Sequence, residues 1–413
     1  MKRYDVAIIG GGVAGLSAAS SICEKIDASV LIIEKGEIGD PKKTSPFTFP
    51  DVVERFNLSD AVLQKYKRLT YKSPTGVSAS FDYENPAFVT VDYQKMCNIL
   101  LGKIKKEGNV SVLEGTEALS LSEDRMLLPG ALIKLRLSDS TEISCSVLVD
   151  ASGSSFFAAN KLQIDLPELY SHPYGEFLEE CQIDDPEEMC VFTGTKYGNG
   201  GGWFYPIGKR AARFGFATIS GSRASIQDKT KNNFEKAIRD FYPYNEMLAG
   251  SKTKRSEFGI IPIGALKKLV CGSILIIGDA AGQATPWYNE GVRPALEAGQ
   301  MCGETVVEAY EKGKFRKKTL AKYENTWNAQ NRKTYAYAKV RALSYFRSQE
   351  QWDASVRYQS SLTPEQMMKI IRFCIFLRVR SKSLSNEFRS HGVTGILKEI
   401  VLRIYDKMKH QNF

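Results

Sequence analysis

The stretch Tyr4-Asp5-Val6-Ala7-Ile8-Ile9-Gly10-Gly11-Gly12-Val13-Ala14-Gly15 decides the fold. Tyr4 to Ile9 reads as a buried strand. A helical run follows from Leu16 to about Ile26, then a second strand from Ser29 to Ile33, closed by Glu34. The G-x-G-x-x-G fingerprint thus sits in the setting its physics requires: strand, glycine turn, helix, strand, acid. Gly10 permits the sharp turn, Gly12 lets a diphosphate approach the backbone, and Gly15 lets the helix pack on the sheet. The helix N-terminus offers free N–H groups and partial positive charge to that diphosphate. Glu34 can accept hydrogen bonds from an adenosine ribose, and its charge would repel a 2′-phosphate. The site is expected to hold FAD or NAD rather than NADP.

A second element separates FAD from NAD. An apolar strand from Ser273 to Ile277 runs into Gly278-Asp279-Ala280-Ala281-Gly282, then Gln283-Ala284-Thr285-Pro286, then Asn289-Glu290-Gly291-Val292. A long helical pattern follows, from about Arg293 to Tyr310. A simple NAD dehydrogenase has no need of this late element, whereas extended FAD does. Asp279 can meet the ribityl chain or the diphosphate. The helix starting near Gly291 would aim its N–H groups at the pyrimidine edge of a flavin and favour an anionic reduced ring. The candidate cofactor set is Gly10, Gly12, Val13, Ala14, Gly15, Glu34 and Lys35 in the first motif. In the second it is Asp279, Gly282, Pro286, Glu290, Gly291 and Val292.

Together the two motifs resemble the flavoprotein superfamily that includes p-hydroxybenzoate hydroxylase, and within it the chain is most similar to the geranylgeranyl reductase family. The family's E-I-G-x-P loop is matched by Glu37-Ile38-Gly39-Asp40-Pro41, and its G-D-A-A-G-x-x-x-P run from Gly278 to Pro286. Its tryptophan segment is matched by Gly201-Gly202-Trp203-Phe204-Tyr205-Pro206-Ile207-Gly208. The resemblance spans roughly residues 1 to 330. The chain departs from the family pattern at Thr44 (a cysteine in many members), Tyr93 (an arginine), Gly201 (a tyrosine), Tyr205 (a phenylalanine) and Asn289 (a glycine).

The fold class expected is α/β: a discontinuous Rossmann-type FAD-binding domain (1–155 and 266–330), an antiparallel β-sheet substrate domain (156–265) and a helical C-terminal region (331–413). Strand-like stretches in the middle include Met189 to Thr193, Gly202 to Pro206, Arg213 to Ile219 and Ser256 to Pro262. Trp203 and Tyr205 are two apart, so in a strand they share a face. The resemblance puts that face in front of the flavin, so Trp203, Tyr205 and Phe47 are the substrate candidates. The turn Asp150-Ala151-Ser152-Gly153 lies near FAD or is a plain turn after a core strand. Gly198 to Gly202 follows no strand and opens no helix, so it is not a second dinucleotide site. With no separate NAD(P)H domain, the reductant is expected to be transiently docked NAD(P)H or a reduced electron-carrier protein.

Composition narrows the rest. The chain has 413 residues, 43% hydrophobic and 25% charged, which suits two or three folded domains. No apolar run approaches the ~18–20 residues of a membrane span. Lys2-Arg3 ahead of an apolar stretch imitates a secretion signal, but such a signal has no use for the glycine motif. Eight scattered cysteines without a C-x-x-C pair suit a reduced intracellular protein. His172, His391 and His410 are far apart, which argues against a histidine metal site and a Ser-His-Asp triad; no metal is expected.

The net charge of +9 is concentrated late: from Glu365 to Phe413 there are ten basic and four acidic residues. Ile396, Leu397, Ile400, Val401, Ile404 and Met408 share one helical face, with Lys398, Arg403, Lys407 and Lys409 mostly off it. Such a helix either lies on an anionic lipid surface or packs on its own domain with a solvated basic face. A cytoplasmic protein, peripheral on the inner face of a membrane in the first case, is the expectation. No nucleic-acid module accompanies the charge.

The activity implied by the resemblance is FAD-dependent reduction of carbon–carbon double bonds in an apolar prenyl-type lipid. Hydride transfer would be paired with proton delivery, with Tyr205 and Tyr288 as candidate catalytic donors. The alternatives are a flavin monooxygenase or halogenase, and a non-redox, lycopene-cyclase-like use of the flavin.

Overall fold

The strand expected at Tyr4–Ile9 forms as Lys2–Ile9 in the middle of an eight-stranded sheet. In this computed structural model, residues 1–41, 46–107, 109–122, 132–286, 288–344 and 347–376 are described. Lys2–Ile9 pairs in parallel with Val30–Ile33 on one side and Glu142–Asp150 on the other. Val110–Leu113 and Ile274–Ile276 extend the parallel set outward. Val6, Ala7 and Ile8 have no exposed surface, as expected of a parallel strand covered on both faces. The helix Val13–Cys23 follows the glycine turn. The long helix Val292–Glu311 lies directly on it, with Gly299 and Gly303 against Ala14 to Ser21.

The second sheet runs in the order Lys252–Phe258, Leu169–Glu179, Ala211–Ser220, Gly202–Ile207, Glu188–Phe192, Arg68–Lys72, Ser78–Asp82. It is wider than the 156–265 segment expected for it, because Arg68–Lys72 and Ser78–Asp82 cross over from the N-terminal part. It is also not wholly antiparallel: Glu188–Phe192 pairs in parallel with Arg68–Lys72. Ser78–Asp82 alternates with one buried face, whereas Leu69, Thr70 and Tyr71 are all buried, and neither pattern says which sheet a strand joins. The strand Leu169–Glu179 contains Pro173, a poor strand residue. Pro173 falls where the neighbouring strand changes from Lys252–Phe258 to Ile261–Ile263, so on that side its missing N–H breaks no ladder.

Alternation splits the second sheet's side chains cleanly. Phe192, Phe204, Phe214 and Phe216 face outward into an aromatic core with Phe234, Phe241 and Tyr244, covered by the helix Gln227–Asp240. Trp203, Tyr205, Arg213 and Gly215 occupy the opposite positions, facing the nucleotide-binding side. A small third sheet, Phe47–Thr48, Phe88–Val91 and Val62–Tyr66, meets them there.

The C-terminal part forms helices Lys317–Ser344, Gln349–Gln359 and Pro364–Phe376. Asp353 is buried and accepts from Ser73 Oγ at 2.5 Å and Thr75 Oγ1 at 2.8 Å, pinning the second of these helices to the edge of the second sheet. The amphipathic segment Ile396–Met408 lies outside the described residues. Among those described, no helix is long and apolar enough to cross a membrane.

Candidate flavin and substrate site

The first glycine turn is built as its sequence requires. Gly10 has φ +102°, and a Cβ there would lie 2.2 Å from the Ala151 carbonyl oxygen. The 150–153 turn therefore sits against the fingerprint. Its Asp150 carboxylate points away into the protein, accepting the Ser152 and Ala158 N–H groups at 3.0 and 2.7 Å. Gly15 is pressed on Gly10, where a Cβ would come 2.1 Å from the carbonyl oxygen. Among the described residues, the neighbour within 4 Å of where a Gly12 Cβ would stand is Tyr93 Oη, at 3.4 Å. Gly12 caps the helix Val13–Cys23 without any side-chain hydrogen bond, so the first N–H groups, on Val13 and Ala14, face this cradle. Glu34 is buried, and its two oxygens accept from Gly11 N at 2.8 Å and Gly36 N at 2.9 Å. Each oxygen keeps a lone pair for a hydroxyl donor. Lys35 is exposed and turned toward Ser155 Oγ, 3.2 Å away.

The second motif arrives at the same place. Ile274–Ile276 leads to a short 3-10 turn, Gly278–Ala281. A Cβ on Gly278 would lie 2.8 Å from Ala14 Cβ. Gly278 N donates to the buried Gln283 Oε1 at 2.6 Å, which fixes the turn. Gly282, with φ +64°, serves packing: a Cβ would strike the Gly264 carbonyl oxygen. Thr285 N and Oγ1 both donate to the Glu290 carbonyl, at 2.8 and 3.1 Å, closing a loop that contains Pro286. Tyr288 and Asn289 are left-handed, at φ +65° and +53°. Asparagine tolerates that region, which accounts for Asn289 at a glycine position of the family pattern. The loop leads to Gly291 as N-cap and Val292 as the first residue of the long helix.

Tyr93 was missed as a site residue, although its departure from the family arginine was visible. Its hydroxyl stands beside Gly12. Burial pushes its pKa well up, with Cys97, Glu34 and Asp279 acting in the same direction. One phenol thus senses both the ribose-side acid and the acid of the second motif.

The substrate candidates are brought together. Trp203 and Tyr205 share a face, ring centres 6.4 Å apart. Phe47 lies 5.9 Å from Tyr205 and 6.3 Å from Tyr288. Tyr71 and Tyr288 join hydroxyl to hydroxyl, and Tyr66 lies 6.4 Å from Tyr205. Trp203 lies flat on its own sheet, over paired Gly215 and Gly175, where Cβ atoms would come 2.3 and 2.9 Å from its Cζ2. Arg213 was also missed. It stands across from Tyr205 in the ladder, is fully buried, and pairs with Glu257 at 3.3 Å while donating to the Val91 carbonyl at 3.1 Å. Its place in Ala-Ala-Arg-Phe-Gly-Phe, on the period-two face shared with Gly215, was the available signal. Burial pushes the Tyr205 hydroxyl far up, Tyr66 adds to this, and the Arg213 charge opposes it.

Comparison with known proteins completes the assignment. A family model described as lycopene cyclase protein matches residues 5–197. Digeranylgeranylglycerophospholipid reductase 3 of Methanosphaera stadtmanae is 24% identical over 367 residues, covering 86% of this chain and 90% of the relative. A geranylgeranyl bacteriochlorophyll reductase-like protein of Thermoplasma acidophilum superposes with a TM-score of 0.78 at 18% identity, over 94% of this chain and 99% of the other. The chain is thus similar over most of its length to proteins named as prenyl-lipid reductases, and it shares the fold of flavoprotein oxidoreductases. A probable FAD-dependent monooxygenase of Pseudomonas aeruginosa has the same fold, with a TM-score of 0.65 and 18% identity over 86% of this chain and 100% of the other.

The residues present fit a flavin dinucleotide. The cradle at Gly12, the uncapped helix end at Val13 and the spare lone pairs of Glu34 suit a diphosphate and a ribose. The fold brings the second glycine turn within contact of the first.

Proposed function

We propose that the protein uses FAD to reduce carbon–carbon double bonds of a prenyl, geranylgeranyl-type lipid. The observation that carries this reading is the cluster of rings on the nucleotide-facing side of the second sheet. Trp203 and Tyr205 from one strand, Phe47 from the third sheet and Tyr288 from the loop before the long helix meet there. The names of the curated relatives support the same substrate class.

When bound and reduced, FAD supplies the hydride. Gly12 and the N–H groups of Val13 and Ala14 would hold its diphosphate, Glu34 its adenosine ribose, and Asp279 its ribityl chain or the diphosphate. These rings would exclude water and hold an apolar chain by burial, about 25 cal/mol per Å² of surface removed from water. An isolated alkene accepts hydride poorly, so a proton must arrive at the other carbon. Tyr205 is the better donor of the two candidates. Burial keeps its phenol protonated at neutral pH, and buried Arg213 stands ready to balance a phenolate. The Tyr288 hydroxyl is engaged with Tyr71 and orients rather than donates.

Electrons come from outside the chain, from NAD(P)H or a reduced carrier protein. The basic excess after Glu365 suits a cytoplasmic protein working against an anionic membrane surface, where such a lipid resides.

The test is anaerobic incubation of reduced enzyme with geranylgeranyl lipids and mass spectrometry of the products. A gain of two hydrogens per double bond is expected. Unchanged lipid across the prenyl series, or turnover only with oxygen and an aromatic substrate, would overturn the reading.

A further inference from the structure

Two consecutive residues ahead of the long helix reach into the second sheet. Tyr288 and Asn289 are both left-handed, at φ +65° and +53°. The Tyr288 hydroxyl joins that of Tyr71, on the strand Arg68–Lys72. Asn289 Nδ2 donates to Ser171 Oγ at 3.2 Å, on the strand Leu169–Glu179. Ser171 and Tyr71 are both buried, so the two anchors lie inside the protein.

The anchoring strands are not neighbours. Ala211–Ser220, Gly202–Ile207 and Glu188–Phe192 lie between them in the sheet. Four strand spacings, about 19 Å, therefore separate the anchors across the sheet. The middle one of the three intervening strands carries Trp203 and Tyr205. Both anchors stand on the face of that strand's rings. Tyr71 is opposite Val191 in the ladder, and Val191 is opposite Trp203. Ser171 is four residues from Gly175, on which the indole rests. Tyr288 and Asn289 thus straddle the ring-bearing strand, from the loop that leads to Gly291 and Val292 at the helix end. The turn itself is closed elsewhere, by Thr285 on the Glu290 carbonyl. A glycine at 289 would adopt the same backbone without strain and send nothing across. What asparagine adds at this position is the bond to Ser171.

We propose that Asn289 with Ser171, and Tyr288 with Tyr71, form a clasp that fixes the gap between the flavin-facing loop and the substrate wall. The proposal rests on the FAD and prenyl-lipid readings above, in which the ring lies against the helix end and the alkene against Trp203 and Tyr205. Hydride transfer needs ring and alkene at contact distance, and its rate falls steeply when either is displaced. Asn289 and Ser171 are positioning residues in this scheme: they act through the loop, and neither is asked to touch the reacting atoms.

The experiment compares flavin-loaded wild type with Asn289→Gly, Ser171→Ala and the double variant by two readouts. The first is anaerobic rapid mixing of dithionite-reduced enzyme with a geranylgeranyl lipid. Each single variant should lose about fivefold in the limiting rate of flavin reoxidation, and the double variant no more than either single. Flavin per chain and the half-saturating lipid concentration should stay within about twofold of wild type, which a general structural defect would not allow. Wild-type rates in both single variants, or losses that multiply in the double, overturn the proposal. The second readout is hydrogen exchange by mass spectrometry, which needs no turnover. Amides of residues 288–292 should exchange about tenfold faster in each variant, and unchanged exchange overturns the proposal. Should Ser171→Ala fail to fold, Tyr71→Phe opens the other side of the clasp and should slow reoxidation and speed exchange in the same way; wild-type values there overturn it. Faster exchange in the variants, where wild type reduces no lipid, upholds the clasp and sinks the prenyl reading alone. A preparation that binds no flavin sinks the cofactor reading and this proposal with it.

Discussion

Gly278 lies against Ala14, so close that a Cβ on the glycine would stand 2.8 Å from the alanine methyl. Two bends far apart in the chain therefore form one wall. Gly278 also has φ +65°. Replacing it with valine adds both a collision and a strained backbone. Gly278→Val should lose most of its bound flavin, at least tenfold in flavin per chain after gel filtration, and should unfold earlier. Full flavin retention would show that the contact is incidental.

The indole of Trp203 rests on Gly215, with no room for a methyl group between them. Gly215→Ala must tilt the indole into the cluster of rings or distort the sheet, at a cost of about 1–3 kcal/mol. KM for the prenyl lipid should rise severalfold more than kcat falls, with flavin content unchanged. A purely structural role for Trp203 would lower stability and leave KM where it was.

Tyr205→Phe removes the proposed acid while keeping the ring. Loss of a general acid should lower kcat by about 10²–10⁴, with flavin reduction by the electron donor unaffected. Tyr288→Phe should cost far less, since its hydroxyl is tied to Tyr71. The reverse ranking would move the donor's role to Tyr288.

Buried Glu290 makes stability depend on pH. Its carboxyl is raised from 4.5 to about 7 in the folded chain, so the folded state holds a proton that the unfolded state releases first. Its contribution is fully present below about 4.5 and is lost as pH rises through about 7. At about 1.4 kcal/mol per unit, this is on the order of 3–4 kcal/mol. Glu290→Gln should flatten that fall, so that its melting temperature overtakes wild type on the alkaline side. Parallel melting curves at all pH values would contradict the assignment.

Much of the nucleotide half was legible because each local signal agreed with the tertiary outcome. Val6 to Ile9 form the expected buried strand, the glycine turn packs as its sequence requires, and Glu34 stands beside that turn. The site's charges were not legible. Glu290 reads as a cofactor contact, and its carboxylate accepts from the Arg293 N–H and the Thr48 hydroxyl, partners that only the fold brings to it. Lys35 sits beside the acid in sequence but bridges to Ser155 across the surface. Arg213 and Tyr93 owe their roles to partners on distant strands and turns. Ser78–Asp82 shows clear strand alternation, but sheet membership is a long-range choice that alternation does not encode.

The most direct measurement is anaerobic rapid mixing of the reduced enzyme with a geranylgeranyl lipid, following flavin colour. The account predicts that the colour returns without oxygen, at a rate that rises with lipid concentration, with one double bond saturated for each flavin reoxidised. A flavin that stays bleached until oxygen is admitted, with the lipid unchanged, would contradict it.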